Sequence, residues 1–382
     1  MEIEVGQLIT KAKTKRCGDG EYPVLSMTMH DGLVFQNDRF KKQIASVDQS
    51  NYQVVSRHQL VESFPIDEGV LAVQELTDEG IVSPAYKIWD VDTEKVAPVY
   101  LEYALRSPRS IEYYKSKLRG TTARRRSITD TEFCAMKINC PSLDKQEEIL
   151  DILQRTKQLI NCRKNELEFL DELIKARFVE LFGDPVLNEK GWKTCPFLDM
   201  GSCKNGMNFH YEDSGVVLNC LGVGDFKDYS VITNTELLPT VSLNEMPSEE
   251  YLLRDDDIVF VRSNGNKALV GRSVAVYPGN IPTTFSGFCI RYRKHDDGIT
   301  IPYLLRVLKA DSIRKKMTGR GANIQNLNQQ ILGTLIIPVP PLDLQKQFGD
   351  FVKQVDKSKV AVQKSLDETQ KLFDSLMQEY FG

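Results

Sequence analysis

The sequence lacks any long apolar run. No segment reaches the roughly 18 consecutive apolar residues that a transmembrane helix needs. The chain opens with Met1-Glu2-Ile3-Glu4, and no apolar leader follows these residues. Neither membrane insertion nor export is therefore supported, and we expect a cytoplasmic protein without a membrane partner.

Patterns for metal binding, nucleotide binding and catalysis are missing as well. The eight cysteines form no Cys-x-x-Cys pair and the four histidines are scattered, so neither has the spacing of a metal site. There is no Gly-x-x-x-x-Gly-Lys-Ser/Thr loop, no Asn-Pro-Pro-Tyr-like methyltransferase motif and no nucleophile elbow. The sequence thus predicts a non-enzymatic protein without cofactors, whose cysteines are buried or partly buried thiols.

An excess of positive charge is also absent, because the net charge is −4 and the pI is near 5.8. A nucleic-acid partner would then require the basic residues to be concentrated on one surface.

A long amphipathic helix is predicted from about residue 145 to 182. Apolar residues recur there at every seventh position, which is the spacing of a coiled-coil seam. They include Leu153, Ile160, Leu167 and Ile174. A helix roughly 55 Å long, at 1.5 Å per residue, needs a long partner for its apolar stripe. A second helical pattern at 344–381 supplies one, with Val355, Val362, Leu366 and Phe373 at seam positions.

The two helical segments are copies of one another. Adding 199 to a residue number in the first segment gives its counterpart in the second, as for Gln146 and Gln345. The shared pattern Pro-x-Leu-Asp-x-Gln and the shared Phe-Gly end make chance an unattractive explanation. We therefore predict two repeats, each a globular domain followed by a long helix.

Each predicted domain concentrates basic residues at one point. The first has a helix from about 97 to 118 whose end carries Lys115, Lys117 and Arg119, with arginines 124–126 close behind. The second has a helix from about 302 to 317 whose end carries Lys315, Lys316 and Arg320. A charge run is most often a solvated face. Its recurrence at the same place in both repeats favours a shared polyanionic ligand.

A glycine-containing polar loop follows each basic helix end. The first loop runs from Gly120 to Arg126 and the second from Gly319 to Asn326. Arginine pairs with guanine, and asparagine or glutamine pairs with adenine, in the major groove of DNA. The segment Ser263–Lys267 is a second candidate for such contacts, and a simple hairpin turn is an equally good interpretation of it.

These patterns together yield a set of candidate DNA contacts. The set is Lys115, Lys117, Arg119, Thr121, Thr122, Arg124, Arg125, Arg126, Asn264, Asn266, Lys267, Lys315, Lys316, Arg320, Asn323, Gln325 and Asn326.

The order of these segments resembles the specificity (S) subunit of type I restriction-modification systems. The clearest copy of the motif runs from Ile336 to Gln347, with Pro340-Pro341-Leu342-Asp343-Leu344-Gln345 at its centre. The resemblance implies an α+β fold in which two target recognition domains of mixed α/β structure are separated by two long antiparallel coiled-coil helices. The corresponding boundaries are 1–144 and 184–343 for the domains, and 145–183 and 344–382 for the helices.

The resemblance also implies a function and partners. Each domain would read one half of a split target in double-stranded DNA. The helices would dock two methyltransferase subunits, and restriction-translocase subunits would join for cleavage. The candidate partner-binding residues are Leu153, Ile160, Leu167, Ile174, Val355, Val362, Leu366 and Phe373. The alternative is a coiled-coil structural or adaptor protein that does not bind specific DNA.

Overall fold

The computed structural model describes residues 1–29, 31–39, 49–118, 127–209, 214–226, 230–318 and 326–382. The chain divides into two compact units. Unit 1 contains residues 1–165 and 363–382, and unit 2 contains residues 166–362. In the residues described, no helix is both long enough and apolar enough to cross a bilayer.

Unit 1 is built on antiparallel sheets. Its strands are β1 (Glu2–Glu4), β2 (Ile9–Lys11), β3 (Lys15–Arg16), β4 (Leu25–Thr28), β5 (Gly32–Phe35), β6 (Gln53–Ser56), β7 (Leu60–Glu62), β8 (Leu71–Val73), β9 (Glu79–Val82), β10 (Lys87–Val91) and β11 (Lys137–Asn139). Its helices are α1 (Gln36–Arg39), α2 (Pro98–Leu105), α3 (Pro108–Lys117) and α4 (Asp130–Cys134), followed by the long α5 (Leu143–Phe182), which continues into unit 2. The central sheet has the strand order β2-β10-β7-β8.

Unit 2 contains sheets with both antiparallel and parallel pairs. Its strands are β12 (Thr194–Pro196), β13 (Gly201–Asn205), β14 (Val216–Leu221), β15 (Val231–Ile232), β16 (Thr240–Leu243), β17 (Asp257–Val261), β18 (Ser273–Val276), β19 (Thr283–Phe285), β20 (Cys289–Lys294) and β21 (Ile336–Pro338). Its helices are α6 (Ile301–Lys309), α7 (Asp311–Thr318) and α8 (Gln329–Gly333), followed by the long α9 (Leu342–Phe381), which continues into unit 1. The central sheet has the strand order β13-β20-β17-β18-β15.

The two central sheets share one topology. The order β2-β10-β7-β8 in unit 1 matches β13-β20-β17-β18 in unit 2, and every one of these pairs is antiparallel. A helix packs on the last of these strands in both units, α2 on β8 and α6 on β18. The register also corresponds. Trp89 of β10 pairs with Lys11 of β2 and Leu60 of β7, and Tyr292 of β20 pairs in the same way with Cys203 of β13 and Ile258 of β17. The repeat predicted from the long helices therefore extends through the globular part of each unit.

The long helices begin and end at equivalent residues. Each is 40 residues long, or about 60 Å at 1.5 Å per residue. Both start two residues earlier than predicted, at Leu143 and Leu342, and their ends at Phe182 and Phe381 keep the offset of 199. Gly183 follows α5 with φ of 75°, a left-handed conformation that stops the helix and that glycine adopts without strain.

The long helices pair in opposite directions. In unit 1, Ile149 and Leu153 from the start of α5 share a buried core with Phe381 from the end of α9. In unit 2, Phe178 and Phe182 from the end of α5 pack on Phe348 from the start of α9, with ring centroids 5.6 Å apart in both pairs. The start of one helix thus meets the end of the other, which confirms the predicted antiparallel pair and α+β class.

The glutamine of the repeated motif has the same structural role in both units. The Oε1 atom of Gln146 accepts the Ala97 N–H at 2.8 Å, and its Nε2 atom donates to the Pro141 carbonyl at 2.8 Å. Gln345 does the same with the Thr300 N–H at 2.8 Å and the Pro340 carbonyl at 2.9 Å. Both side chains are fully buried. Each glutamine therefore joins the start of a long helix to the first helix packed on the central sheet.

The predicted helices at 97–118 and 302–317 are each divided in two. In unit 1, Pro108 has no amide hydrogen to continue α2, and the Ser107 hydroxyl caps α3 by accepting the Ser110 N–H at 3.3 Å. In unit 2 the chain is extended at Ala310, and α7 begins directly after it.

The cysteines are free thiols. Seven are buried or partly buried, as predicted, whereas Cys162 on α5 is exposed and departs from the prediction. Burial raises the pKa of the Cys220 and Cys203 thiols to about 12 in both cases, so these side chains remain protonated.

Candidate nucleic-acid interface

Part of the predicted interface lies outside the described residues. These candidates are Arg119, Thr121, Thr122, Arg124, Arg125, Arg126, Arg320, Asn323 and Gln325. Of the described candidates, Lys115, Lys117, Lys315, Lys316 and Asn326 lie in the segments that enter or leave the two polar loops, and Asn264, Asn266 and Lys267 lie in the separate segment between β17 and β18.

In unit 2, backbone pairing joins two candidate segments that are distant in sequence. Ser263 forms an antiparallel bridge with Asn326, and the Leu327 N–H donates to the Arg262 carbonyl at 2.8 Å. Asn326 is the last residue of the second polar loop. The loop therefore rejoins the fold directly beside the Ser263–Lys267 turn.

Helix α7 joins the same cluster through Arg314. Its Nη2 atom donates to the Ala268 carbonyl at 3.3 Å. Burial and the nearby Arg272 charge lower the pKa of Arg314. This arginine therefore fastens α7 to the turn, and the neighbouring Lys315 and Lys316 remain exposed.

The Ser263–Lys267 turn is held by its own asparagines. The Oδ1 atom of Asn264 accepts the Asn266 N–H at 2.7 Å, and the Oδ1 atom of Asn266 accepts the Ala268 N–H at 3.1 Å. Such bonds are typical of asparagine in turns. The segment belongs to a longer connection, residues 262–272, between the antiparallel strands β17 and β18, and its Asn266 and Lys267 side chains are exposed.

Lys316 has an acidic neighbour. Burial would raise the pKa of Asp184, but N–H bonds from Leu187 and Val186 and the positive charge of Lys316 lower it. Part of the charge of Lys316 is therefore offset inside unit 2, and Lys315 is the stronger candidate for a phosphate contact.

An aromatic residue that the sequence analysis missed lies next to this cluster. Phe288 directly precedes β20 and is 61% exposed. The Arg262 N–H donates to its carbonyl at 2.8 Å. An exposed aromatic side chain directly before a buried strand was the signal that could have drawn attention to it.

In unit 1, the candidate lysines stand at the end of α3. Lys115 and Lys117 are exposed, and the Nζ atom of Lys117 lies 5.9 Å from the Tyr113 ring centroid. The Tyr113 hydroxyl donates to the Glu132 carbonyl at 2.8 Å. Helix α3, which enters the first polar loop, is thereby tied to α4, which follows that loop.

A partly buried ionic network supports the place where the chain rejoins the fold after the first loop. The Nζ atom of Lys87 lies 2.9 Å from both Glu62 Oε1 and Asp130 Oδ1, and it also donates to the Ile128 carbonyl at 3.3 Å. Lys11 donates to Asp130 Oδ2 at 2.6 Å. Burial would lower the pKa of Lys87, but the charge of Glu62 and the hydrogen bond to Asp130 raise it. The amine therefore remains charged and holds the residues after the loop to the central sheet.

The candidate partner-binding residues separate into two groups. Leu153, Ile160, Val355 and Val362 are buried by the chain itself. The others, Leu167, Ile174, Leu366 and Phe373, are half-buried. A more exposed apolar set exists on another side of α5, namely Ile152, Leu159, Phe169 and Leu173, with exposures of 40%, 53%, 72% and 48%.

Comparisons with known proteins agree with this architecture. A family model for the type I restriction modification DNA specificity domain matches residues 223–369, which include the Ser263–Lys267 turn, α7 and most of α9. The specificity subunit of the StySPI type I restriction enzyme from Salmonella potsdam is 24% identical over 304 residues, or 74% of this chain. The chain spans 64% of that relative's length. The MjaVIII specificity subunit from Methanocaldococcus jannaschii is 22% identical over 79% of this chain and 73% of its own length.

Solved structures share the fold at low sequence identity. The S subunit of a type I restriction-modification system from M. genitalium matches all of this chain and 96% of its own, with a TM-score of 0.55 and 16% identity. A chain from a structure addressing complex assembly and conformational transition of the type I system matches all of this chain and 97% of its own, with a TM-score of 0.61 and 16% identity.

Proposed function

Since the chain belongs to the type I restriction-modification specificity-subunit family, we propose that it is a DNA-recognition subunit. Each unit reads one half of a bipartite target in double-stranded DNA. The chain contributes recognition and assembly, and the chemistry on DNA belongs to its partner subunits.

One observation carries this proposal. In both units the polar loop connects two short helices along the chain, the central sheet has the same topology, and exposed lysines mark the helix that precedes the loop. In unit 2 the loop returns beside a second polar turn. A repeated scaffold with loops of different sequence suits two readers of two different half-sites.

The residues at this interface have two kinds of role. Lys115, Lys117, Lys315 and Lys316 contact phosphates and orient each unit on the duplex. Asparagine, glutamine and arginine side chains of the loops contact base edges, where hydrogen bonds discriminate between bases. Arginines 124–126 belong to this second group or supply further phosphate contacts.

The long helices dock two methyltransferase subunits, and restriction-translocase subunits join the assembly. The exposed apolar residues of α5 suit this docking better than the seam residues, whose side chains are buried or half-buried within the chain. Ile152, Leu159, Phe169 and Leu173 lie within an arc of about 100° at 3.6 residues per turn. An apolar stripe of this kind on an otherwise charged helix is typical of a protein contact.

The test is DNA binding by the chain co-expressed with its methyltransferase. Methylation mapping should return a bipartite sequence. The double variant Lys315→Ala, Lys316→Ala should weaken binding to all sequences alike and reduce the salt slope by about two, one for each lysine that no longer neutralises a phosphate.

The matched control is Lys190→Ala, Lys193→Ala, which removes two exposed lysines outside the candidate interface. Equal salt slopes for both double variants would show that Lys315 and Lys316 on α7 form a solvated face that does not contact DNA. A complex that binds no DNA sequence specifically would support the coiled-coil adaptor instead.

A further inference from the structure

The backbone at Phe288 forms a tight turn. The Cys289 N–H donates to the Ser286 carbonyl at 2.8 Å, and the Phe288 N–H donates to the Ser286 hydroxyl at 3.3 Å. The Gly287 N–H donates to the Met207 carbonyl at 2.6 Å. A side chain at Gly287 would run into Asn208, since a Cβ there would lie 2.1 Å from Asn208 Oδ1. The backbone that presents Phe288 is therefore closely packed although the ring itself is exposed.

The turn is part of the candidate interface. The N–H groups of Arg262 and Ser263 both donate to the Phe288 carbonyl, at 2.8 and 3.3 Å. Ser263 in turn bridges Asn326 at the end of the polar loop. The aromatic residue thus shares one edge of the sheet with the groups proposed to contact DNA.

Unit 1 presents an aromatic residue at the corresponding end of its central sheet. Strands β7 and β10 occupy the places of β17 and β20. Phe64 follows β7 closely and is 42% exposed, and its ring packs edge-on against Tyr86, which precedes β10, with centroids 6.0 Å apart. A single exposed aromatic residue needs no explanation. Two at the same end of the same strand pair indicate a role that the repeat preserves.

The chemistry of the duplex limits what such a ring can contact. Stacked bases show only their edges, and in the major groove these edges carry hydrogen-bonding groups and one apolar group, the C5-methyl of thymine. A phenylalanine ring makes no hydrogen bonds and gains most from that methyl group. The surrounding asparagines and lysines satisfy the polar groups and phosphates on either side.

We propose that Phe288 contacts the C5-methyl group of a thymine in the half-site read by unit 2, which makes it a specificity-determining residue. This inference rests on the proposed DNA-recognition function and assigns one base contact within it. Phe64 lies at the same end of the equivalent strand pair in unit 1.

The experiment uses the complex of the full chain with its methyltransferase and the target identified by methylation mapping. Each thymine of the target is replaced in turn by deoxyuridine, which removes only the methyl group. One replacement in the unit 2 half-site should weaken wild-type binding about fourfold, the change that corresponds to about 0.8 kcal/mol for one buried CH₂ group. Phe288→Ala should weaken binding to the natural target and abolish the sensitivity to that replacement.

Three variants make the result specific. Phe288→Leu keeps an apolar contact and should retain the sensitivity to deoxyuridine. Phe64→Ala should leave it unchanged, because that residue belongs to the other half-site. Leu237→Ala removes an apolar side chain of unit 2 that is 82% exposed, and it controls for a general effect of surface truncation.

Two results would overturn the inference while the proposed function stands. One is specific binding in which no deoxyuridine replacement in the unit 2 half-site has an effect. The other is a Phe288→Ala complex that keeps the wild-type sensitivity to deoxyuridine. If that complex also binds every sequence more weakly, Phe288 acts as a wedge between base pairs and not as a contact to a thymine methyl group. A wild-type complex without any sequence preference would instead contradict the proposed function itself.

Discussion

At the scale of single residues, Gln345 of the repeated motif stabilises unit 2. Its buried carboxamide satisfies one backbone N–H and two carbonyl groups, at Thr300, Pro340 and Gly298. A buried backbone group that loses its partner costs about 1–3 kcal/mol. The identity of this residue is therefore determined by backbone geometry and not by any ligand.

Replacing Gln345 by alanine should lower the melting temperature of the protein by several degrees, because 1 kcal/mol corresponds to about 2–4 °C in a domain of this size. Calorimetry would measure the shift. Gln347→Ala, on the exposed side of the same helix turn, is the control and should have almost no effect. Equal shifts for the two variants would show that the buried hydrogen bonds of Gln345 contribute little.

Lys309 provides a prediction about pH. Burial and the neighbouring Arg306 charge lower the pKa of Lys309 to about 8, against the opposing influence of Asp171 and Asp356. Between about pH 8 and 10.5, the unfolded chain holds a proton at this residue that the folded chain has released. The free energy of unfolding should therefore gain a contribution from Lys309 as the pH rises through this window.

The test compares wild type with Lys309→Met by urea unfolding at pH 7.5 and pH 9.5. The stability of the wild type relative to the variant should increase at the higher pH. The comparison cancels other groups that titrate in this range. A stability difference that does not change with pH would mean that Lys309 has an ordinary pKa in the folded protein.

At the scale of elements, α5 carries two apolar surfaces with different roles. One contains Leu153, Ile160 and Phe178, and it is buried within the units. The other contains Leu159 and Phe169 and remains exposed. A heptad pattern alone does not separate the two, because both occur on one amphipathic helix.

Phe169→Glu should prevent the methyltransferase from co-purifying with the chain, since a charge cannot be buried in an apolar contact without a partner. Thermal unfolding of the isolated chain should stay unchanged, because this side chain is 72% exposed. Val179→Glu is the matched control, as Val179 is 54% exposed on a different side of α5. Loss of the methyltransferase from both variants, or from neither, would place the docking surface elsewhere.

At the scale of the whole molecule, the repeat implies that recognition is modular. The hydrogen bonds by which Gln345 joins α9 to the globular part of unit 2 are made to backbone groups, such as the Thr300 N–H and the Gly298 carbonyl. A different domain sequence with the same backbone can supply the same groups. The globular part can therefore change while the helices stay the same.

Exchanging residues 184–343 for the matching segment of a relative should change one half of the recognised sequence and preserve the other. Methylation-site mapping of the hybrid complex is the measurement. An exchange that altered both halves, or neither, would contradict the assignment of one half-site to each unit. Exchange of residues 1–142 provides the reciprocal experiment.

The sequence alone determined the parts of the fold that depend on local periodicity. The heptad spacing located the long helices to within two residues at their starts, and the offset of 199 related both their ends. A helix is stabilised by hydrogen bonds between residues four apart, so its hydrophobic periodicity can be recognised within one short stretch of sequence. The location of the polar loops at equivalent points in both repeats followed from the same register.

Only the tertiary structure decided which of these residues meet. Ser263 and Asn326 pair across the fold, and Phe288 stands exposed beside them because its turn is packed against Met207 and Arg262. Strand-like runs in the sequence coincide with β8, β10, β17, β18 and β20 of the central sheets, whereas β2, β7, β13 and β15, of two to five residues, carry too little periodicity to be identified. Pairing between distant segments depends on the packing of the whole sheet and not on any one stretch of sequence, and that pairing assembles the candidate interface.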